Sequence, residues 1–184
     1  MNALALVKAP QRHPNPRRLI LIDIENFNGS PIQSPAQAKW CKKMLTVWLR
    51  LKEGEIVVIA SDKSGILDVN AGWKGPRLLA GIGADGADHR LIEEIMHMNL
   101  GQFDEIALVS GDGVFAEPVA HAAELGVPTK VYSHGFQLST QLRLAAAEVH
   151  LAEDGYVRPT TDRSTSQKEH TNAIQLTQHV KETA

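Results

Sequence analysis

The middle of the chain alternates between two hydrophobic rhythms. "RLILID" (18–23) is a continuous apolar run of the kind buried on both faces of a parallel sheet. "EIVVIAS" (55–61), "FDEIALVS" (103–110) and "PTKVYS" (128–133) repeat it, and "RLLAG" (77–81) and "EVHLAE" (148–153) are shorter versions. Between them the apolar spacing changes to three and four. In "SPAQAKWCKKMLTVWLRLK" (34–52), Trp40, Met44, Val47, Trp48 and Leu51 mark one helical face, with Lys39, Lys42, Lys43 and Arg50 mostly on the other. "ADHRLIEEIMHMN" (87–99) turns Leu91, Ile92, Ile95 and Met96 inward. "VFAEPVAHAAELG" (114–126) stops at Gly126 with Pro128 beyond, a normal helix ending. "STQLRLAAA" (139–147) is the last helical stretch. The order β-α-β-(β)-α-β-α-β-α-β predicts an α/β fold with a mainly parallel sheet and helices on both faces. Ligands of such open sheets sit beyond the carboxyl ends of the strands.

The two ends break the pattern. Residues 1–17 are basic and rich in proline, and 158–184 are polar with few large apolar residues, so both are expected to be disordered. A short helix near "AIQLTQHV" (173–180) is an option within the second. The globular domain is expected to span 18–157.

Acids fall where the strands end. Asp23 closes the first strand, and Asp112, in "SGDG", follows the "EIALV" strand. Asp85 and Asp88, in "GADGADHRL", sit where a loop becomes a helix. Three segments would thus bring carboxylates to one sheet edge. Crowded carboxylates repel unless protons or cations compensate them. Oxygen ligands suit Mg²⁺ or Mn²⁺, which support attack of water on phosphodiesters. Each acid also has a plainer explanation. Asp112 and Asp85 could cap helices, Asp88 could favour a helix start, and Asp23 could begin a turn. Glu25 could join the site through water or point away.

Composition narrows the partners. The 184 residues carry a net charge of −2, so contact with nucleic acid needs a local basic patch or bound cations. Lys63, just after the second strand, could meet a phosphate. "NAGWKGPR" (70–77) sets Trp73 between glycines with Lys74 and Arg77 close by, which suits base stacking and phosphate contact, or a tryptophan folded onto its own domain. No apolar run is long enough to cross a bilayer, and the single cysteine, Cys41, excludes an internal disulfide and fits a reducing cytoplasm. The eight histidines form no metal-ligand spacing. Gly81-x-Gly83-x-x-Gly86 has the dinucleotide-loop spacing but lacks the acid that should end a strand about 20 residues on. A phosphatase using Asp23 as nucleophile, of the haloacid-dehalogenase type, would want Asp where this chain has Glu25.

"LILIDIENF", "GADHRLI" and "LVSGDGVFAEPVAHAAELGVPTKVYS" resemble the three signature segments of NYN domains, a branch of the PIN-like nucleases. The resemblance covers roughly 18–152. It implies a three-layer α/β/α sandwich, cleavage of RNA with Mg²⁺ or Mn²⁺, and metal ligation by Asp23, Asp88 and Asp112. It further implies that Asn26 holds the first loop or a water, and that Ser110 orients Asp23. Many members carry a second Asp where this chain has Val114, and the Lys that often precedes the middle Asp is absent. Glu117, one helical turn on, is a candidate substitute. The alternative is a domain that binds RNA or a protein and no longer cuts; a homodimer is also open.

Overall fold

The computed structural model describes residues 16–152. The expected arm and tail, apart from Pro16 and Arg17, lie outside the described residues, as does the helix considered near 173–180. Six strands form one sheet: β1 (Arg18–Asp23), β2 (Ile56–Asp62), β3 (Arg77–Gly81), β4 (Glu105–Val109), β5 (Thr129–His134) and β6 (Glu148–Ala152). Their order is β3-β2-β1-β4-β5-β6, and every pairing is parallel. Parallel neighbours need crossovers, and the helices supply them. These are α1 (Ile24–Asn28), α2 (Pro35–Trp48), α3 (Ile66–Gly72), α4 (Gly86–His97), α5 (Ala116–Glu124) and α6 (Thr140–Ala145).

The apolar run of β1 serves both faces. Leu19 and Leu21 belong to a core with Leu91 and Ile95 of α4, Val119 of α5 and Leu142 of α6. Ile20 and Ile22 belong to a second core with Ala38, Cys41 and Leu45 of α2 and Val69 of α3. This is the expected α/β/α sandwich. Burying one such leucine or isoleucine contributes about 1.5–3 kcal/mol.

Several elements differ from the sequence pattern. The segment between β2 and β3 holds a helix, α3, and α1 is a single short helix directly after Asp23. The buried face of α2 is carried by Ala38, Cys41 and Leu45, whereas Val47 is 69% exposed. Met96 also points outward. Small residues lie where a helix presses closest to the sheet, so the larger side chains flank the contact and do not mark its centre.

β1 and β4 are neighbours although β2 and β3 separate them in the chain. The connections leave this pair in opposite directions, which opens a crevice above its carboxyl ends. Ile22 pairs with Val109, so Asp23 and Ser110 emerge side by side.

Candidate active site at the strand ends

Asp23 is only 5% exposed although it is charged and ends its strand. Its Oδ1 accepts the Asn26 N–H at 3.0 Å, which caps α1. The Ser110 hydroxyl donates to its Oδ2 at 3.3 Å. Ser110 in turn accepts the Asp112 N–H at 3.3 Å. Asn26 ties the two strand ends together: its Oδ1 accepts the Gly111 N–H at 3.0 Å, and its backbone carbonyl accepts Gln137 Nε2, also at 3.0 Å. Asn26 thus bridges the ends of β1 and β4, and Ser110 contacts Asp23.

Asp88 enters from the first turn of α4. A close pass puts that helix start there. A side-chain carbon on Gly81 would lie 2.3 Å from the Ala87 nitrogen, so β3 and α4 can touch only through glycine. Gly81 and Gly86 of "GIGADG" therefore serve packing, while Gly83 takes a left-handed turn conformation (φ 80°). Asp85 sits at the N-cap position but makes no side-chain capping bond, and its backbone is left-handed (φ 55°), uncommon for a residue with a side chain.

The carboxyls of Asp23 and Asp88 lie close enough to act on one another, and the charge of Asp88 favours a proton on Asp23. Burial pushes Asp23 up to about 7; the bond from Asn26 opposes this, and the charge of Asp88 adds to it. Burial also raises Asp88, followed by the nearby charge of Asp112. Asp112 uses Oδ1 to accept the Val114 N–H at 3.0 Å and caps a short 3-10 turn, Gly113–Phe115. The capping explanation and proximity to the other acids thus both hold for Asp112.

These groups line a cleft of about 240 Å³. Six acids face it, Asp23, Glu25, Asp62, Asp85, Asp88 and Asp112, and no lysine, arginine or histidine is among its lining residues. Glu25 lines the cleft, with Oε1 accepting from the Ser61 hydroxyl and the Asp62 N–H, both at 3.1 Å. Asp62 escaped the sequence reading. It ends β2 as Asp23 ends β1, and that shared position was the available signal. Its Oδ1 accepts the Ser64 N–H and hydroxyl at 2.8 and 2.6 Å, which hold its carboxyl below the ordinary value.

The donor set fits a hard divalent cation. Its groups are oxygens, and they are crowded enough that a cation would offset their mutual repulsion. Among the described residues no three acidic, histidine or cysteine side chains form a ready-made cage. Mg²⁺ does not need one, since it is bound through one or two carboxylates and keeps several waters.

Other expected residues lie elsewhere. Trp73 is 4% exposed and packs in the α2–α3 core, which excludes it as a stacking platform. Lys74 and Arg77 stand at the amino end of β3, away from the cleft, and Arg77 is paired with Glu94. Parallel topology dictates this, because a loop that enters a strand lies at the opposite edge from one that leaves it. Lys63 is exposed at the carboxyl end of β2. Glu117 is exposed in the first turn of α5 and does not line the cleft. A larger hollow, about 550 Å³, opens around the amino ends of β1, β4 and β5. Its Arg18 and Lys130 are already held by Glu55, Glu105 and Glu148.

The NYN domain family matches residues 18–153. The chain belongs to the NYN domain family. This places it within the PIN-like superfamily. A crystal structure of a protein of unknown function from Vibrio parahaemolyticus is similar in fold, with 17% identity and a TM-score of 0.55 over 78% of this chain and 98% of that one. None of the curated proteins matches the chain. For an NYN domain, the switch-point cleft with its signature acids is the natural place for chemistry. No described helix is long and apolar enough to cross a membrane.

Proposed function

We propose that this NYN domain is a metal-dependent ribonuclease that hydrolyses RNA phosphodiester bonds to 5′-phosphate and 3′-hydroxyl ends. The observation that carries the reading is a cleft lined by six acids and no base, in a family of nuclease type. Such a cleft repels a phosphodiester unless cations fill it, so substrate and divalent ion would enter as partners.

Asp23, Asp88 and Asp112 are the residues that would hold Mg²⁺ or Mn²⁺. When bound, the ion would make a water nucleophilic near neutral pH and offset charge on the phosphate oxygens. The protein's own contribution is placement. Asn26 and Ser110 fix both oxygens of Asp23, so that carboxylate is already aimed. Asp88 lies against Asp23, and the two would hold the ion as carboxylates, so binding would require loss of the proton that burial favours on Asp23. Asp112 keeps one oxygen for Val114 and leaves the other for the cleft.

Val114 favours a second reading. It is 47% exposed where many NYN members carry an acid. A domain that binds RNA or protein without cutting would tolerate that change.

Labelled single-stranded and structured RNA, incubated with Mn²⁺, Mg²⁺ or EDTA, separates the two. Cleavage should require the metal, and Asp23→Asn or Asp112→Asn should reduce it at least about 100-fold. Full activity in either variant would sink the mechanism. Binding without cleavage would select the second reading.

A further inference from the structure

Phe136 is a phenylalanine held open to solvent. It is 81% exposed and belongs to neither core. A singly exposed ring is ordinary by itself, but this one rests on a stacked support. Its ring stacks on His134 at 5.6 Å and 26° between planes. His134 stacks on Phe27 at 5.5 Å and 20°. Phe27 stacks on Trp40 at 5.7 Å and 22°. Four rings thus stack in series, from half-buried Trp40 through buried Phe27 and half-buried His134 to the open face of Phe136. A His134 ring nitrogen lies 3.1 Å from the Phe27 carbonyl oxygen, which locks the second layer.

The loop that carries the outermost ring is tied to residues at one end of the acid cleft. Phe136 precedes Gln137, whose side chain donates to the Asn26 carbonyl. The Gln137 carbonyl oxygen lies so close to Gly111 that a side-chain carbon there would meet it at 2.5 Å. Ser139 donates its N–H to the Gly111 carbonyl at 2.8 Å. The loop bearing Phe136 is therefore fastened to the residue next to Asp112.

Resting on the nuclease reading, we infer that Phe136 is the stacking platform for an unpaired base of the RNA strand that enters the cleft. A base would add the next layer to the ladder, while its phosphates run toward Asp112. Stacking tolerates every base, because each has a π-face. The loop is already fastened, so little further ordering accompanies binding. The role expected of Trp73 thus passes to a residue at the correct edge of the sheet.

RNA oligomers carrying 2-aminopurine test this in Ca²⁺ and in EDTA, where binding is read by fluorescence without relying on cleavage. The full-length protein should quench the probe at one position. Phe136→Ala should abolish that quenching and weaken binding about 5- to 100-fold. Phe136→Trp should restore both, and Phe136→Leu should restore neither, with all three variants melting near wild type. Equal binding by wild type and Phe136→Ala overturns the platform, even if metal-dependent cleavage is found. Rescue by leucine also overturns stacking, in favour of a plain apolar contact. Quenching through Phe136 in a protein that never cuts would leave the platform standing and remove the nuclease reading. Absence of both binding and cleavage overturns both.

Discussion

Single residues set the behaviour of the cleft without metal. In the folded protein Asp23 holds a proton up to about pH 7, whereas an ordinary Asp releases it near 3.8. The native state therefore binds more protons than the unfolded chain between those values. Stability must fall as pH rises through that window. In EDTA the melting temperature should drop by roughly 5 °C or more from pH 4.5 to 7.5, beyond any drop seen in Asp88→Asn. Mn²⁺ should flatten the wild-type curve, because a cation replaces the proton. A metal-free melting curve indifferent to pH would show that burial does not raise Asp23 in the folded protein. Much at this scale was legible in the sequence. Asp23, Asp88 and Asp112 are local signals, each at a strand end or helix start, whereas Asn26 and Ser110 came with the resemblance to NYN domains. Glu25 was ambiguous because its direction depends on α1, a helix too short to leave a periodic trace. Asp62 carried the same strand-end signal as Asp23 but lay outside the motif.

At the scale of elements, close contacts decide. A side-chain carbon on Gly111 would meet the Gln137 carbonyl and the Ser133 hydroxyl, each at 2.5 Å. Gly111→Ala should therefore cost about 1–3 kcal/mol in urea unfolding, as overpacking does. It should also loosen the loop that carries Phe136, so RNA affinity should fall with stability. An alanine variant as stable as wild type would mean that the loop yields freely. The strands were readable because continuous apolar runs suit only a buried parallel sheet. The α3 helix was not, since "ILDVNAG" contributes mainly Val69 to the core and shows no apolar stripe. Trp73 misled for a related reason. An aromatic flanked by glycine and lysine looks exposed, but only the order of strands reveals which edge its loop occupies.

For the whole molecule, two cores flank one sheet within the described residues. We expect a chain of residues 16–157 to unfold in a single cooperative transition with the melting temperature of the full protein, measured by calorimetry. It should also keep metal-dependent cleavage if the ends serve only to recruit partners. Loss of the transition would show that the ends complete the fold.

The strand order has a consequence in time. β1 takes β2, the next strand in the chain, on one side and β4, more than 80 residues later, on the other. Ser110 and Asp112 reach Asp23 only when that distant pairing closes. As the chain emerges from the ribosome, its first half can build β3-β2-β1 with Asp23 in place, but the site remains without its third acid and its serine. On the proposed nuclease reading, a nascent chain would thus stay silent toward RNA until its second half is made.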